Sequence, residues 1–581
     1  MRKFLIIFLV LFHLVIAPGC KKDPLDITPD GRITIEDVFK DEILIEAYAN
    51  SVYNYIRLYG SRYYPNVMLS VFSDESHGSD DPQDSWSNVS QWYGGMLTPS
   101  YNPLDAGTNR EGGIKWNGQY YEDGWDAIRK ANIFLSRIGN VSMADRNKQA
   151  RLTAEVRLLR AFFYLELIKM YGGLPIVDKQ FPDNFDYKEL KRNSFEECAA
   201  FIVSDCDYAI KEPNLPYRTA IEGERGRFTK SVAYAIKSQV LLYNASPLWN
   251  PGNDAGKWQL AAAAGKEAKE ALVQNGFVLN ADYEKYFQGN SSNTNDRETI
   301  FEIKNAEATF GGILFFINGI PTVGAALAGA APSQELVDGY DMANGEIPIT
   351  GYNDADHLKP VINTAAGYDD NQPYKDRDPR FYASIWYNQA YYGVINGKQH
   401  YVASYLGGED GLAQLRQRTH NGYYLRKFND PDLRIGNVGN ALWKKFRLAE
   451  IYLNYAEAEN EASGATPAVY EAVNTVRRRV HMPDLPEDLS KEAMRERIRR
   501  ERRVELVFEE HRFWDVRRWK ILDKTDRLTT GMAWTKQPDG SFTRQRIVVG
   551  RRVAWADKYL IFPIPLNELN RLPAFTQNPG W

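Results

Sequence analysis

The sequence predicts a mostly α fold, a tetratricopeptide-like scaffold of helical pairs interrupted by long loop-rich, partly β insertions. Three observations carry this. From Arg447 to Asn460 neither Pro nor Gly interrupts, and Leu448, Ile451, Tyr452 and Tyr455 recur at the spacing of one helix face. After Ser463-Gly464 come Val469, Val473, Val476 and Val480, and a third helix is predicted from Arg495 to Glu510. Helix, short turn and helix, with Ala where backbones approach, describes an antiparallel tetratricopeptide pair. Leu152, Val156, Leu159, Phe163, Leu167 and Met170 form one stripe while Leu158, Phe162 and Leu165 form another, the wide apolar surface of a helix buried between neighbours.

In chain order, Met1-Arg-Lys, the apolar run Phe4 to Ala17 and then Cys20 predict a signal peptide over residues 1–19, too short for a membrane span. Gly19-Cys20 suggests a lipobox, with Cys20 acylated as the new N-terminus. Ala17 and Pro18 depart from the branched and small residues preferred there. Residues 20–32, rich in Pro and Asp, read as a tether. Thr34-Ile-Glu-Asp37 opens a helix that continues from Ile43 to Ile56. Phe72 to about Asn117 holds no period and reads as a long irregular loop, a length that tends to be functional.

Helical pattern resumes at Trp125–Asn132, and the Leu152 helix stops at Gly172-Gly-Leu-Pro175. Ser194-Phe-Glu-Glu197 is a capping box, and Val232–Ser246 and Trp258–Gln274 are further helices. Gly311–Ala331 is apolar, but Asn318, Pro321 and five glycines make it a loop rather than a span. Residues 332–440 show short β-like runs such as Phe381–Tyr387. About four helical pairs divided between the two halves predict a single domain over 33–581, with interwoven parts at about 33–310 and 332–581, rather than the several domains length suggests.

Arg447-Leu-Ala-Glu-Ile-Tyr-Leu-Asn-Tyr-Ala-Glu-Ala458, Arg502–Phe508 and His511-Arg-Phe-Trp-Asp-Val-Arg-Arg-Trp519 resemble the C-terminal signatures of the SusD/RagB family. Arg157–Tyr164, Tyr171–Val177, Pro332–Asp338, Arg377–Tyr382, Gly422–Lys427, Tyr559–Pro565 and Gln577–Trp581 extend the resemblance from Cys20 to Trp581. It implies a SusD-like fold and a lipid-anchored Bacteroidetes outer-membrane protein facing the extracellular side. Such a protein captures glycans for a SusC-like TonB-dependent transporter and passes cargo on without covalent change. RagB-like relatives take peptides, which is the alternative cargo.

A net charge of −4 gives no electrostatic basis for nucleic-acid binding. Aromatic residues make up 13% of the chain, a surplus suited to flat ligands such as sugars. The 72–117 stretch supplies Trp86, Trp92, Tyr93 and Tyr101 for stacking, with Asn88, Asn102 and Arg110 for hydroxyls; Trp116 reads as core. Tyr391 and Tyr392, adjoining Trp386, are the candidates from the C-terminal half.

Catalytic chemistry is poorly represented. A glycosidase needs two facing carboxylates, whereas helical periodicity already accounts for Glu450, Glu457 and Glu459. The seven His residues show no metal-ligand spacing. Asp74-Glu-Ser-His-Gly-Ser-Asp-Asp81 is acidic enough for calcium but lacks EF-hand order, so no cofactor is implied. The six arginines between Arg495 and Arg503, interrupted by Glu, read as a salt-bridged exposed helix. Cys198 and Cys206, roughly 12 Å apart along a predicted helix, lie beyond disulfide reach.

Overall fold

A computed structural model describes residues 33–56, 68–79, 89–104, 120–141, 143–182, 184–219, 222–288, 296–303, 318–325, 327–395, 397–429 and 442–581. The chain divides into two compact units, 1–48 and 49–581. In the first, Thr34 caps the short helix Ile35–Val38 as its sequence predicts. Its hydroxyl accepts from the Asp37 N–H at 3.2 Å while the Asp37 carboxylate accepts from the Thr34 N–H.

The second unit is helix-rich and built on a tetratricopeptide-like array. Its long helices are α1 (Tyr120–Ile138), α2 (Arg146–Tyr171), α3 (Phe195–Lys211), α4 (Lys230–Ala245), α5 (Ala255–Gln274), α6 (Leu448–Ser463), α7 (Pro467–Arg479), α8 (Lys491–Glu505) and α9 (His511–Arg518). From α1 to α5 each helix packs on the next. The chain then leaves the array for residues 275–447, yet the next neighbour of α5 is α6, so the array continues as if uninterrupted. Gly265 permits that junction: a Cβ there would lie 2.9 Å from the Tyr455 Cα. The Ser194 capping box forms with Glu197, and α2 ends at Gly172, whose φ of +75° favours glycine.

The excursion and the C-terminal stretch fold as small antiparallel ladders. Strands β1 (Ser76–Gly78) and β3 (Ala330–Pro332) pair, as do β2 (Thr299–Ile303) and β10 (Trp443–Arg447). So do β4 (Ile349–Tyr352) with β5 (Pro360–Ile362), β6 (Ile385–Trp386) with β9 (Tyr424–Leu425), and β7 (Tyr391–Ile395) with β8 (Lys398–Tyr401). A longer hairpin, β11 (Leu528–Lys536) with β12 (Phe542–Arg551), has no counterpart in the predicted elements.

Buried charge locks the excursion onto the array. The Arg447 guanidinium, 1% exposed, donates to Glu298 and Glu505 at 2.7 Å and to both carboxylate oxygens of Glu509 at 2.7 and 2.8 Å. Glu505 also accepts from Arg380 at 2.9 Å and from Arg479, while Arg477 reaches Glu501 at 3.0 Å. A guanidinium stays ionised at any ordinary pH, so burying one demands carboxylates in return. Flanking arginines hold the Glu505 carboxyl well below its usual range despite burial.

Four expectations are corrected here. The third helix ends at Glu505 rather than Glu510, because Phe508 and Glu510 take positive φ of 60° and 68°. The arginine-rich helix is not an exposed face: Glu501, Arg502 and Glu505 are buried in the ion-pair network. Phe381–Tyr387 is half helix, since Asp378 caps a turn begun by Pro379 and only Ile385–Trp386 is strand. The irregular stretch after Phe72 contains β1 and a short helix, Val89–Tyr93.

Candidate functional site

The hairpin β7–β8 carries the most exposed aromatic pair among the predicted candidates and their strand partners. Gly397, which immediately precedes β8, has a φ of +75°, a left-handed conformation that glycine adopts freely. Tyr391 lies opposite Tyr401, their ring centroids 5.5 Å apart and tilted by 58°. They are 49% and 46% exposed. The Tyr401 hydroxyl donates to the Gln399 side chain at 3.2 Å.

Alternation along the strand decides the rest. Tyr392 points the other way, 6% exposed, packing 5.1 Å from Trp386 and edge-on to His400 at 5.9 Å. With Ile320, Val323, Ala328, Val402 and Tyr424 it forms the apolar floor beneath the hairpin. Tyr392 is therefore a support rather than a ligand contact, a correction imposed by strand period. A polar chain braces the same floor. Thr322 donates its hydroxyl to the buried Asp410 at 2.7 Å, so the His400 Nε2, 3.0 Å from that hydroxyl, donates to it. Asp410 also accepts from the Ala403 N–H at 3.1 Å. His400 is thereby fixed beneath Tyr401.

The N-terminal aromatic stretch is tied to this floor. β1 pairs with β3, and beyond the ladder the Ser79 N–H donates to the Gly329 carbonyl at 3.0 Å. Asn421 clamps β3 from the far side, donating to the Ala331 and Pro332 carbonyls at 3.0 and 2.7 Å. The segment running 318–332 thus passes from the hairpin floor to the edge of β1.

Individual candidates of that stretch fare differently. Trp92 is 1% exposed and enclosed by Phe72, Phe513, Tyr559 and Phe562, so it is core, and its assignment to the ligand site is corrected. The cause is the helix Val89–Tyr93, which turns that side chain inward. Tyr93 is half-buried; its hydroxyl donates to the Val71 carbonyl at 2.9 Å and accepts from the Gly78 N–H at 3.1 Å, strapping β1 in place. Tyr101 closes a tight turn with Thr98, and Asn102 accepts from the Leu104 N–H at 3.0 Å; both are half-buried. Trp86, Asn88, Arg110, Trp116 and Cys20 lie outside the described residues.

Sequence reasoning missed Tyr401 and His400. The Tyr391…Asn396-Gly397…Tyr401 spacing around an Asn-Gly turn was the available signal. Asp74, of the acidic run, is held by Arg512 at 2.7 and 2.8 Å and by Arg503 at 2.9 Å. Among the described residues no group of three or more His, Cys, Asp or Glu is placed to hold a metal ion.

Fold and site together define a helical-repeat protein bearing a braced aromatic platform on its surface. Comparison with known families then places it. The model described as SusD family matches residues 282–581, and one described as starch-binding, associating with outer membrane, matches residues 26–242. The chain belongs to the SusD family. It is similar to SusD-like protein P25 of Formosa agariphila, 24% identical over 79% of this chain and 78% of the relative. A SusD-like protein of Bacteroides fragilis superposes with a TM-score of 0.76 at 29% identity, covering 95% of this chain and all of that one. A SusD-like carbohydrate-binding protein of the same species gives 0.71 at 24%, covering 92% and 99%.

Proposed function

We propose that this protein is a surface lipoprotein of the outer membrane that binds oligo- or polysaccharide and delivers it, uncleaved, to a SusC-like TonB-dependent transporter. The observation that carries the reading is the exposed Tyr391–Tyr401 pair on a hairpin whose back is packed and polar-braced. Sugar rings present apolar C–H faces that stack on such rings, and their hydroxyls need fixed polar partners beside them. The family description and the carbohydrate-binding neighbour support sugar as the cargo class. Acylation of Cys20 would supply the anchor, and the helical array the protein-contact surface.

Affinity electrophoresis in gels containing a panel of polysaccharides tests this. Retardation by one glycan, lost in Tyr391→Ala/Tyr401→Ala, with no shorter products after incubation, is the expected result. Normal mobility in every gel together with binding of peptides would move the cargo to the RagB-like alternative. Release of shorter saccharides would make the protein a hydrolase.

A further inference from the structure

Along α1, Tyr121, Trp125, Ile128 and Asn132 recur four, three and four residues apart, hence on one face. That face borders a groove of about 740 Å³, whose opposite walls are the segment 175–190 and the C-terminal stretch from Glu568 to Phe575. The volume suits a small oligosaccharide.

Its lining is aromatic and preformed. Phe181 stacks on Phe185, centroids 4.0 Å apart and 14° between planes, and Tyr187 meets both rings edge-on at 5.9 and 5.0 Å. Tyr187 is 46% exposed and faces a groove that Trp125 and Phe575 also line.

Its charge is the reverse of the whole chain's. Arg129, Lys179 and Arg571 line it against one carboxylate, Glu568, whereas the chain carries −4. Glu568 lies 3.6 Å from Arg571, so one cation is already answered. Arg129 and Lys179 make no hydrogen bond or ion pair among the described residues. Exposed cations beside aromatic walls suit a ligand with both a flat apolar face and an anionic group.

We propose that this groove is a second saccharide site, selective for sugar units that bear a carboxylate or a sulfate. The ring face lies against Trp125 and Tyr187, and the anion is received by Arg129 and Lys179. The ligand class rests on the sugar-binding reading above. The groove shares no residue with the β7–β8 hairpin, so separate variants tell the two sites apart.

Calorimetric titration of the purified chain with tetragalacturonate, a sulfated carrageenan tetrasaccharide and neutral maltotetraose is the test. At least one anionic probe binds about tenfold or more tighter than the neutral one, and added salt weakens it. Arg129→Gln/Lys179→Gln removes the preference, Tyr187→Ala weakens whichever anionic probe binds, and Tyr391→Ala/Tyr401→Ala leaves the preference intact. The better of the two anionic arms names the anion. Equal affinity for neutral and anionic probes, an unchanged Arg129/Lys179 double variant, or no anionic binding up to about 10 mM would overturn the proposal. So would a tetraglutamate peptide binding as tightly as the sugars. If polysaccharide retardation through the hairpin persists while the groove fails, only this inference falls; if no saccharide binds anywhere, both readings fall.

Discussion

The indole of Trp92 lies nearly parallel to the ring of Phe562, with centroids 5.6 Å apart and 21° between their planes. One residue comes from the N-terminal aromatic stretch, the other from the C-terminal Tyr559–Pro565 phrase. Their contact joins the two ends of the chain across the core, and Phe513 of α9 closes the cluster 5.9 Å from the indole.

Trp92→Ala should therefore act on stability. Emptying so large a buried site costs about 3–5 kcal/mol. Thermal or denaturant unfolding will show a lowered midpoint, and the protein that remains folded will keep its glycan retardation. A selective loss of binding at unchanged stability would return Trp92 to the ligand site.

Tyr391→Ala and Tyr401→Ala should do the opposite. Both rings are about half exposed, so the melting temperature should hold, while glycan affinity falls roughly three- to tenfold per ring, the worth of an aromatic contact. Phe at either position should retain most of the affinity, because stacking uses the ring and not the hydroxyl.

Glu505→Gln should be among the costliest single changes. It leaves the arginines at 380, 447 and 479 facing one another with a carboxylate removed, in a setting where breaking a buried pair costs about 3–5 kcal/mol. Chemical denaturation measures this, and a loss well under 1 kcal/mol would show that water or Glu509 compensates.

Gly265→Leu should separate α5 from α6. A Cβ alone would already approach the Tyr455 Cα to 2.9 Å, so the larger side chain forces the helices apart at about 1–3 kcal/mol or more. Gly139, with nothing within 4 Å of an added Cβ and no left-handed φ, is the control for loss of a glycine.

Burial, with Asp74 beside it, raises the Glu75 carboxyl to about 8. An acid raised in the folded state keeps its proton while the unfolded chain releases one. Its contribution is full below about 4.5, the unfolded value, and is lost as pH rises toward 8. Glu75→Gln should thus match the wild type near pH 4 and exceed it in stability at pH 8, by an amount on the order of 1–3 kcal/mol. Melting curves at the two pH values decide it; an equal difference at both would show that Glu75 is ionised in the folded protein.

Much of the scaffold was legible because helix periodicity is local. The stripes Leu152–Met170 and Leu448–Tyr455 need only the geometry of one helix to be recognised, and the capping boxes at Thr34 and Ser194 only four residues each. Ligand candidates were less legible. Trp86, Trp92, Tyr391 and Tyr392 are equivalent as residue types, and composition does not say which way a ring points. A single helical turn buries Trp92, and strand alternation sends Tyr392 inward and its neighbour outward.

The amino-acid sequence by itself determined that the chain is helical, that its aromatics outnumber the needs of a helical core, and that its signatures are those of the SusD family. Only the tertiary structure decided that α6 continues the array from α5 across the residue 275–447 excursion, that the arginines of α8 face carboxylates inside the protein, and that Tyr391 finds Tyr401. The physical reason is range. Helix period and capping are set by neighbours within a turn, whereas burial, ion pairing and cross-strand register depend on residues beyond it, from ten positions away for Tyr391 and Tyr401 to more than four hundred for Arg503 and Asp74.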